Sequence, residues 1–276
     1  MEPGKRLPSK VAIITGGASG IGEATARVFA THGASVVLCD LQDELGMQVA
    51  GEIVAAGGTA EYRHLDVTRE DEWTALVAAV EGKYGRVDAL CNVAGIGSAV
   101  DTASGKRARM ELPSLSLDSW NQVMAVNSTG VFLGTKAVHA AMNRAGGGSI
   151  INISTMYAIV APSPQLYEGT KFLNPPGYSA SKAALLSFTR YVASFWGGYG
   201  IRSNAILPGP FSNTEDAGSN TVSQDDAFLN RLRSRTCLSR IGHPAELAGA
   251  LLFLASDASS YVTGQGIVVD GGWTVT

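Results

Sequence analysis

Short apolar runs and longer segments of helical periodicity alternate along this chain. In the longer segments, apolar residues recur every three or four positions, which is the spacing that buries one face of a helix. Strands that are apolar throughout, alternating with such helices, are typical of a parallel sheet covered on both faces. The pattern therefore predicts an α/β fold with a doubly wound parallel sheet of about seven strands, flanked by helices on both faces. Strands are predicted at 11–15, 35–39, 60–65, 87–93, 149–154, 202–207 and 266–269, and helices at 20–31, 43–56, 70–84, 117–142, 178–196 and 246–255.

No linker rich in proline, serine or charge interrupts this pattern, so we expect a single domain over 1–276 with an N-terminal extension at 1–9. Three predicted connections, near 96–113, 157–177 and 208–226, are longer than is usual in such folds. Each follows the carboxyl end of a strand, where open α/β sheets bind ligands. Any one of them could be a surface excursion, but three at one edge indicate a substrate pocket.

The composition narrows the expected partners. A net charge of −3 gives no broad basic character, so a nucleic-acid partner is not expected. The first ten residues are polar, and no apolar run is long enough to span a bilayer, so we expect a cytoplasmic protein without a membrane partner. The cysteines and histidines are scattered without metal-ligand spacing, which predicts free thiols and no metal site. They are Cys39, Cys91, Cys237, His32, His64, His139 and His243.

A glycine-rich turn, Thr15-Gly-Gly-Ala-Ser-Gly-Ile-Gly22, follows the first predicted strand and opens a helix. Glycines at 16, 20 and 22 let the backbone approach a pyrophosphate, whose charge is met by the helix N-terminus. Asp40 ends the second strand, where a carboxylate can accept the hydroxyls of an adenosine ribose and would repel a 2′-phosphate. No lysine or arginine stands at position 17 or 41. We therefore predict NAD(H) rather than NADP(H), with helix capping as the alternative role of Asp40.

Tyr178 and Lys182 stand four residues apart at the start of a predicted helix, so their side chains meet on one face. A phenol with a pKa of about 10 is a poor base at neutral pH, but a neighbouring ammonium favours the phenolate and lowers that pKa. Ser154, from another strand, could bond the oxygen of a reacting alcohol or carbonyl. Together they predict a proton-transfer site, although a Tyr-x-x-x-Lys pair alone is usually an ordinary helix-surface pair.

A second Tyr-x-x-x-Lys sequence competes for this role. Tyr167 and Lys171 lie closer to Ser154, but Gly169 stands between them and Pro175 follows soon after. These residues disfavour a helix, so Lys171 is not expected to lie one helical turn from Tyr167. The sequence therefore favours Tyr178 as the catalytic tyrosine.

Further motifs follow the predicted strands in order. They are Asp66-Val67, Asn92-Val93-Ala94-Gly95, Asn127 within a helix, Ser154, Tyr178 with Lys182, and Pro208-Gly209. With the glycine turn, this series resembles the short-chain dehydrogenase/reductase family from about Lys10 to Trp273, and the resemblance implies a Rossmann-like fold. The catalytic residues it implies are Asn127, Ser154, Tyr178 and Lys182. The cofactor-binding residues expected from the turn and the resemblance are Gly16, Ser19, Gly20, Ile21, Gly22, Asp40, Leu41, Asp66, Val67, Asn92, Ala94, Gly95, Tyr178, Lys182, Pro208, Gly209, Phe211 and Thr214.

The chain departs from the family pattern in three places. The family usually places the serine about a dozen residues before the tyrosine, which would select Tyr167, so an insert is inferred at 157–177. Some members acting on carbohydrate-like substrates look similar through this insert. Val93 replaces the second asparagine of the Asn-Asn-Ala-Gly motif, and the threonine that often follows Pro-Gly is displaced to Thr214.

The expected activity is NAD-dependent interconversion of a secondary alcohol, sugar-like compounds and polyols included, and its ketone, with Tyr178 as general acid and base. By the resemblance, Lys182 also holds the nicotinamide ribose and Asn127 fixes a water. One alternative is a reductase of acyl-thioester or aromatic ketones that uses NADPH or NADH, and another is a catalytically silent dinucleotide-binding scaffold. Lys106, Arg107 and Arg109 could meet an anionic substrate or lie in a solvated loop.

The helix that begins near Tyr178 has two apolar stripes, which indicates burial on two sides. We therefore expect a second copy of the chain to cover one of them, in a homodimer or homotetramer, as is usual in the family. One stripe comprises Leu185, Thr189, Val192 and Trp196, and the other comprises Phe188, Tyr191 and Phe195.

Overall fold

A parallel sheet determines where the loops of this chain lie. The strands are β1 (Val11–Thr15), β2 (Ser35–Asp40), β3 (Thr59–His64), β4 (Ala89–Asn92), β5 (Gly148–Ile153), β6 (Ile201–Pro208) and β7 (Gly266–Val269). In the computed structural model, which describes residues 4–97, 111–170, 173–211 and 226–276, these strands pair in parallel in the order β3-β2-β1-β4-β5-β6-β7. The strand order reverses between β1 and β4, so the loops after these two strands border the crevice in which such sheets bind ligands.

Helices cover both faces of the sheet. They are α1 (Gly20–Thr31), α2 (Asp43–Ala55), α3 (Glu70–Tyr84), α4 (Leu117–Met124), α5 (Gly130–Arg144), α6 (Pro176–Trp196), α7 (Asp226–Ser234) and α8 (Pro244–Ala255). Neighbouring residues of β1 face opposite cores, because successive side chains of a strand alternate between its faces. Ile14 belongs to the core with Phe29 of α1, whereas Ile13 belongs to the core with Trp73 of α3. The doubly wound, Rossmann-like fold predicted from the sequence is confirmed.

Two predicted segments differ from the structure. The helix predicted at 117–142 is divided into α4 and α5 by a π-helical turn, Ala125–Thr129. Such a turn holds one more residue than an α-helical turn and changes the direction of its side chains, and it is often found at functional sites. The predicted extension at 1–9 is in part integral to the fold, because Leu7 is buried in the core and its N–H donates to the carbonyl of His32 at 3.0 Å. Within the described residues, no helix combines the length and apolarity needed to cross a membrane.

A glycine in α5 allows this helix to approach α3. A Cβ atom at Gly134 would lie 2.6 Å from the fully buried ring of Trp73, whose Nε1 donates to the carbonyl of Val67 at 3.0 Å. We expect Gly134→Ala to lower the free energy of unfolding by about 1–3 kcal/mol, because the ring must move within a packed core. Gly51→Ala is the matched control, since a Cβ at this helical position meets nothing within 4 Å. It should raise the same quantity by about 0.5–1 kcal/mol. Urea unfolding tests both, and equal effects of the two substitutions would contradict the packing argument.

Candidate active site

The loops after β1 and β4 are joined at the reversal point of the sheet. Thr15 ends β1, and its Oγ1 accepts hydrogen bonds from the N–H groups of Val93 at 3.0 Å and Ala94 at 3.1 Å. Gly16 has φ +65°, and a Cβ there would lie 2.9 Å from the nitrogen of Ala94. Gly16 and Ala94 were expected in the site from the sequence, whereas this role of Thr15 was not. Its position as the first residue of the glycine turn was the signal that could have identified it.

The glycine turn forms a cradle at the start of α1. A Cβ at Gly22 would lie 2.0 Å from the carbonyl oxygen of Gly16, so only glycine permits this path of the backbone. Ser19 precedes α1, and its hydroxyl makes no capping bond to the helix. The first N–H groups of a helix lack partners inside it and favour an anion, the more so where no side chain caps them. Gly16, Ser19, Gly20, Ile21 and Gly22 therefore fit the pyrophosphate of a dinucleotide.

Asp40 is fixed at the end of β2. One carboxylate oxygen accepts from the N–H of Ala18 in the glycine turn at 3.2 Å, and the other accepts from the N–H groups of Leu41 at 2.8 Å and Gln42 at 3.2 Å. Asp40 thus shapes the turn that leads into α2 but does not cap this helix, whose N-cap is Gln42. A carboxylate can accept about four hydrogen bonds and three are already made, so capacity remains for about one ribose hydroxyl. The side chain of Leu41 is 59% exposed beside it.

The turn after β3, which contains Asp66 and Val67, is held in place by contacts with α3 and α5. Asp66 accepts from the N–H of Thr68 at 2.9 Å and from its hydroxyl at 2.7 Å. The Val67 carbonyl accepts from Trp73, and its side chain packs so closely on Gly130 of α5 that a Cβ there would lie 2.9 Å away. These contacts fix Asp66 and Val67 after β3, at the edge of the sheet where the resemblance expects them.

Asn92 is the predicted cofactor contact that the structure does not support as a side-chain contact. Its side chain is 2% exposed, and its amide donates to Oδ1 of Asn152 on β5 at 2.9 Å. Asn152 in turn donates to the hydroxyl of Thr189 on α6 at 2.9 Å. The last side chain of β4 therefore faces the interior and joins β4, β5 and α6. These hydrogen bonds hold the end of β4 to α6, the helix that contains Tyr178 and Lys182.

Lys182 lies at the centre of the site as a buried ammonium. It is 3% exposed, and its Nζ donates to the carbonyl of Ile153 at 2.8 Å. A Cβ at Gly95 would lie 3.0 Å from Nζ and 3.1 Å from Oδ1 of Asn127, so the absence of a side chain at Gly95 makes room for both groups. Burial lowers the pKa of Lys182 to about 8, because charge is less favourable away from water.

Asn127 connects the loop after β4 to α6. From the π-helical turn, its Oδ1 accepts from the N–H of Ile96 at 2.8 Å, and its amide donates to the Ile96 carbonyl at 2.9 Å and to the Ser181 hydroxyl at 3.1 Å. The side chain is completely buried. These bonds show a positioning role for Asn127, and the water expected from the resemblance remains a prediction.

Ser154 and Tyr178 lie at the carboxyl end of β5. The Ser154 hydroxyl donates to the backbone carbonyl of Lys182 at 2.8 Å. Tyr178 is the third residue of α6, one turn before Lys182, as the sequence predicted. The structure differs on the ionisation of this phenol: burial raises the pKa of Tyr178, while a hydrogen bond from the Thr155 hydroxyl opposes the rise. The expected lowering of this pKa by Lys182 is not found; the other charge that acts on it is that of Tyr157, which raises it.

The insert brings the competing tyrosine close to the site. Tyr167 lies in a 3₁₀ helix, Pro164–Tyr167, and its hydroxyl oxygen is 3.5 Å from that of Tyr157. It is 9% exposed, and its ring lies 5.9 Å from that of Phe228 on α7. Tyr167 therefore lies outside a regular α-helix, as the sequence predicted, but it borders the same site as Tyr178.

The remaining predicted residues lie either at the carboxyl end of β6 or outside the described part of the chain. Pro208 ends β6, and the N–H of Gly209 donates to the Val269 carbonyl at 2.9 Å, while Phe211 pairs with Gly242. Among the residues that the structure describes, no group of histidine, cysteine, aspartate or glutamate side chains could hold a metal ion. The predicted residues outside the described part of the chain are Lys106, Arg107, Arg109, Lys171 and Thr214.

Comparisons with known proteins agree with this arrangement. The family model described as enoyl-(acyl carrier protein) reductase, adh_short_C2, matches residues 16–274. The chain is 37% identical over 270 residues to 2,5-dichloro-2,5-cyclohexadiene-1,4-diol dehydrogenase LinX of Sphingobium indicum, with 98% of each chain covered. It is 36% identical to cyclopentanol dehydrogenase of Comamonas testosteroni, also with 98% of each covered.

Solved structures show the same fold. A short-chain type dehydrogenase/reductase from Mycobacterium marinum has a TM-score of 0.86 and 31% identity, with 98% of each chain covered. A putative NAD(P)-dependent gluconate 5-dehydrogenase from Beutenbergia cavernae with bound NADP has a TM-score of 0.84 and 32% identity, covering 98% of this chain and 99% of that one.

The buried ammonium predicts a pH-dependent stability. The native pKa of Lys182 is about 8 and its ordinary value is 10.5, so the unfolded chain binds more protons between these values and stability rises with pH there. Lys182→Met lacks this gain. In urea unfolding of the cofactor-free protein above pH 8, we expect the free energy of unfolding of the wild type to rise by about 1.4 kcal/mol per pH unit relative to that of this variant.

Lys136→Met is the matched control for the loss of one positive charge, since Lys136 is an exposed lysine paired with Glu70. If the difference in free energy of unfolding between the wild type and Lys182→Met stays constant from pH 7 to pH 10, burial does not lower the pKa of Lys182.

Proposed function

The chain belongs to the short-chain dehydrogenase/reductase family, and from this premise we propose that it is an NAD-dependent dehydrogenase of cyclic secondary alcohols. Members of this family are oxidoreductases that use a nicotinamide dinucleotide. The observation that carries the proposal is the convergence of Ser154, Tyr178 and Lys182 at the end of β5. Ser154 bonds the carbonyl of Lys182, and Lys182 bonds the carbonyl of Ile153.

In the proposed reaction, the bound NAD⁺ supplies the hydride acceptor. Ser154 bonds the oxygen of the substrate and stabilises it as its charge changes. Tyr178 takes the hydroxyl proton as general base in oxidation and returns it as general acid in reduction. With the cofactor bound, Lys182 would favour the ionised form of Tyr178 and bind the nicotinamide ribose, while Asn127 holds the loop after β4 and the start of α6 in position.

Asp40 supports NAD over NADP. Its carboxylate is fixed between the glycine turn and α2, and a 2′-phosphate placed against it would bring two like charges together. Relatives of known structure include one that uses NADPH, the 3-quinuclidinone reductase from Rhodotorula rubra, which is 29% identical to this chain. The alternative, an NADPH-dependent ketone reductase, would require this site to accept a 2′-phosphate despite the charge of Asp40.

A ring-shaped substrate is supported by two independent observations. The named relatives act on cyclopentanol and on a cyclohexadiene diol. In this chain, a third apolar cluster lies where the insert meets α7 and the C-terminal segment, and it includes Tyr167, Phe228 and Trp273. Apolar rings on this side of Tyr178 favour a hydrocarbon ring over a highly hydroxylated sugar. The complete set of Asn127, Ser154, Tyr178 and Lys182 disfavours the silent scaffold.

The exposed stripe of α6 supports assembly as a homodimer or homotetramer. Tyr191 is 56% exposed and Phe195 is 62% exposed, and their rings stack at 4.3 Å. Phe188 packs edge-to-face on Phe132 of α5 at 6.3 Å. This apolar surface is continuous across two helices, so a second copy of the chain would remove it from water.

The choice of tyrosine is tested by two conservative substitutions. Tyr178→Phe removes the hydroxyl that exchanges the proton, so kcat for cyclopentanol with NAD⁺ should fall by a factor of about 10³ or more. Tyr167→Phe should retain most of the turnover, because Tyr167 ends a short 3₁₀ helix, whereas Tyr178 stands one turn before Lys182 in α6. Absorbance of the reduced cofactor measures both. The reverse result would identify Tyr167 as the base, and no oxidation of any alcohol in a broad panel would favour the scaffold alternative.

The cofactor preference is tested at Asp40. Asp40→Ser removes the charge that repels a 2′-phosphate, and we expect the ratio of kcat/KM for NAD⁺ to that for NADP⁺ to fall at least about tenfold. Asp257→Asn removes one negative charge that pairs with Lys10 at the opposite edge of the sheet, and it should leave the ratio unchanged. A wild-type preference for NADP⁺, or a ratio that Asp40→Ser does not change, would contradict the proposal.

A further inference from the structure

The backbone of Asp40 is held by β3, the edge strand of the sheet. N–H groups of the glycine turn and of the residues after β2 donate to its carboxylate, whereas its carbonyl oxygen accepts two bonds from β3 and the residue after it. The N–H of Leu65 donates to this carbonyl at 3.0 Å, and the hydroxyl of Tyr62 donates to it at 2.6 Å. Tyr62 lies two residues before His64, the partner of Asp40 in the sheet, so its phenol reaches along the strand.

The ring of Tyr62 lies against α2. A Cβ atom at Gly46 of α2 would lie 2.2 Å from this ring, so a glycine is needed at this position beside it. The ring is half-buried and packs against the apolar core that includes Val49 and Ile53. These contacts limit the movement of the ring and hold its hydroxyl at the end of β2. A phenylalanine would make the same packing contacts, so packing alone does not account for the hydroxyl.

A second acceptor lies beside the same hydroxyl. Oδ1 of Asp43, the first residue of α2, is 2.7 Å from the Tyr62 oxygen, but one phenol carries only one proton to donate. Nδ1 of His64 is also 2.7 Å from Oδ1 of Asp43, and this hydrogen bond raises the pKa of His64, which favours a proton on that nitrogen. With His64 as donor to Asp43, the proton of Tyr62 is free for the carbonyl of Asp40.

The hydroxyl of Tyr62 remains a neutral donor near pH 7. Burial, followed by the hydrogen bond with Asp43, raises the pKa of this phenol above its ordinary value. A neutral group can hold Asp40 without reducing the negative charge of its carboxylate. A lysine or arginine in the same place would offset the charge that repels a 2′-phosphate.

We propose that Tyr62 is a positioning residue for cofactor choice: its hydroxyl bonds the carbonyl of Asp40 and thereby keeps the carboxylate where it binds a ribose hydroxyl and repels a 2′-phosphate. In this role Tyr62 acts through Asp40 and not by contact with the cofactor. This inference rests on the proposed function and adds a residue of the edge strand to the group that selects NAD over NADP.

The test is Tyr62→Phe, which keeps the ring beside Gly46 and removes only the hydroxyl. We expect the ratio of kcat/KM for NAD⁺ to that for NADP⁺ to fall about three- to tenfold, the effect of one lost hydrogen bond. The fall should come from a higher KM for NAD⁺ and not from a lower kcat, because Asp40 lies at the adenosine end of the cofactor. Calorimetry should show a similar loss of affinity for NAD⁺ without turnover.

Two further variants make the result specific. Tyr84→Phe removes the hydroxyl of another half-buried tyrosine, at the end of α3, and should leave the ratio and the affinity unchanged. Added to Asp40→Ser, Tyr62→Phe should change the ratio by less than about twofold, because the effects of residues that act through one group are not additive. A full three- to tenfold fall in that background would show that Tyr62 acts by another route and would refute the inference.

The outcomes separate the inference from the function on which it rests. If Asp40→Ser leaves the ratio unchanged, the proposed cofactor preference fails. If Asp40→Ser lowers the ratio but Tyr62→Phe lowers only the free energy of unfolding in urea, Tyr62 is a packing residue, and the inference is refuted while the function stands. If no secondary alcohol is oxidised, the proposed activity fails, and the ratio of the affinities for NAD⁺ and NADP⁺ tests the role of Tyr62 in place of the kinetic ratio.

Discussion

The site is organised by the burial of one cation. Lys182 lies in the interior with its Nζ bonded to a backbone carbonyl, and burial has lowered its pKa. A charge in such a place costs stability unless its surroundings are fixed around it. Gly95 leaves room for the ammonium because it has no side chain, and Asn127 fixes the loop that contains Gly95. The stability lost by burying Lys182 is consistent with a residue retained for chemistry.

Three structural features converge on this cation. The π-helical turn directs Asn127 toward the loop after β4, and the Asn92–Asn152–Thr189 chain of hydrogen bonds joins β4, β5 and α6. The carboxyl end of β5 provides Ser154, whose hydroxyl bonds the backbone of Lys182 itself. A displacement of α6 would therefore move Tyr178 and Lys182 and change the hydrogen bonds of Asn127 and Ser154. The insert then adds Tyr167 next to this framework without altering the helix that carries Tyr178.

Much of this arrangement could be predicted from the chain alone. The alternation of apolar strands and amphipathic helices predicts the sheet and its ligand-binding edge. The prolines before α6 predict that Tyr178, and not Tyr167, stands in a helix. Features that depend on tertiary contacts could not be predicted. The sequence does not show whether the side chain of Asn92 faces a ligand or Asn152. Nothing in the 117–142 pattern indicates an extra residue in one helical turn. The raised pKa of Tyr178 depends mainly on burial, which a spacing of four residues does not specify.

In the proposed reaction Tyr178 becomes a base when NAD⁺ is bound, although burial raises its pKa in the protein alone. The most direct measurement is an ultraviolet titration of tyrosine ionisation, taken as the difference between the wild type and Tyr178→Phe, with and without NAD⁺. We expect the pKa of Tyr178 to lie above its ordinary value of about 10 without NAD⁺ and below it when NAD⁺ is bound. A pKa that stays above 10 in both states would contradict it.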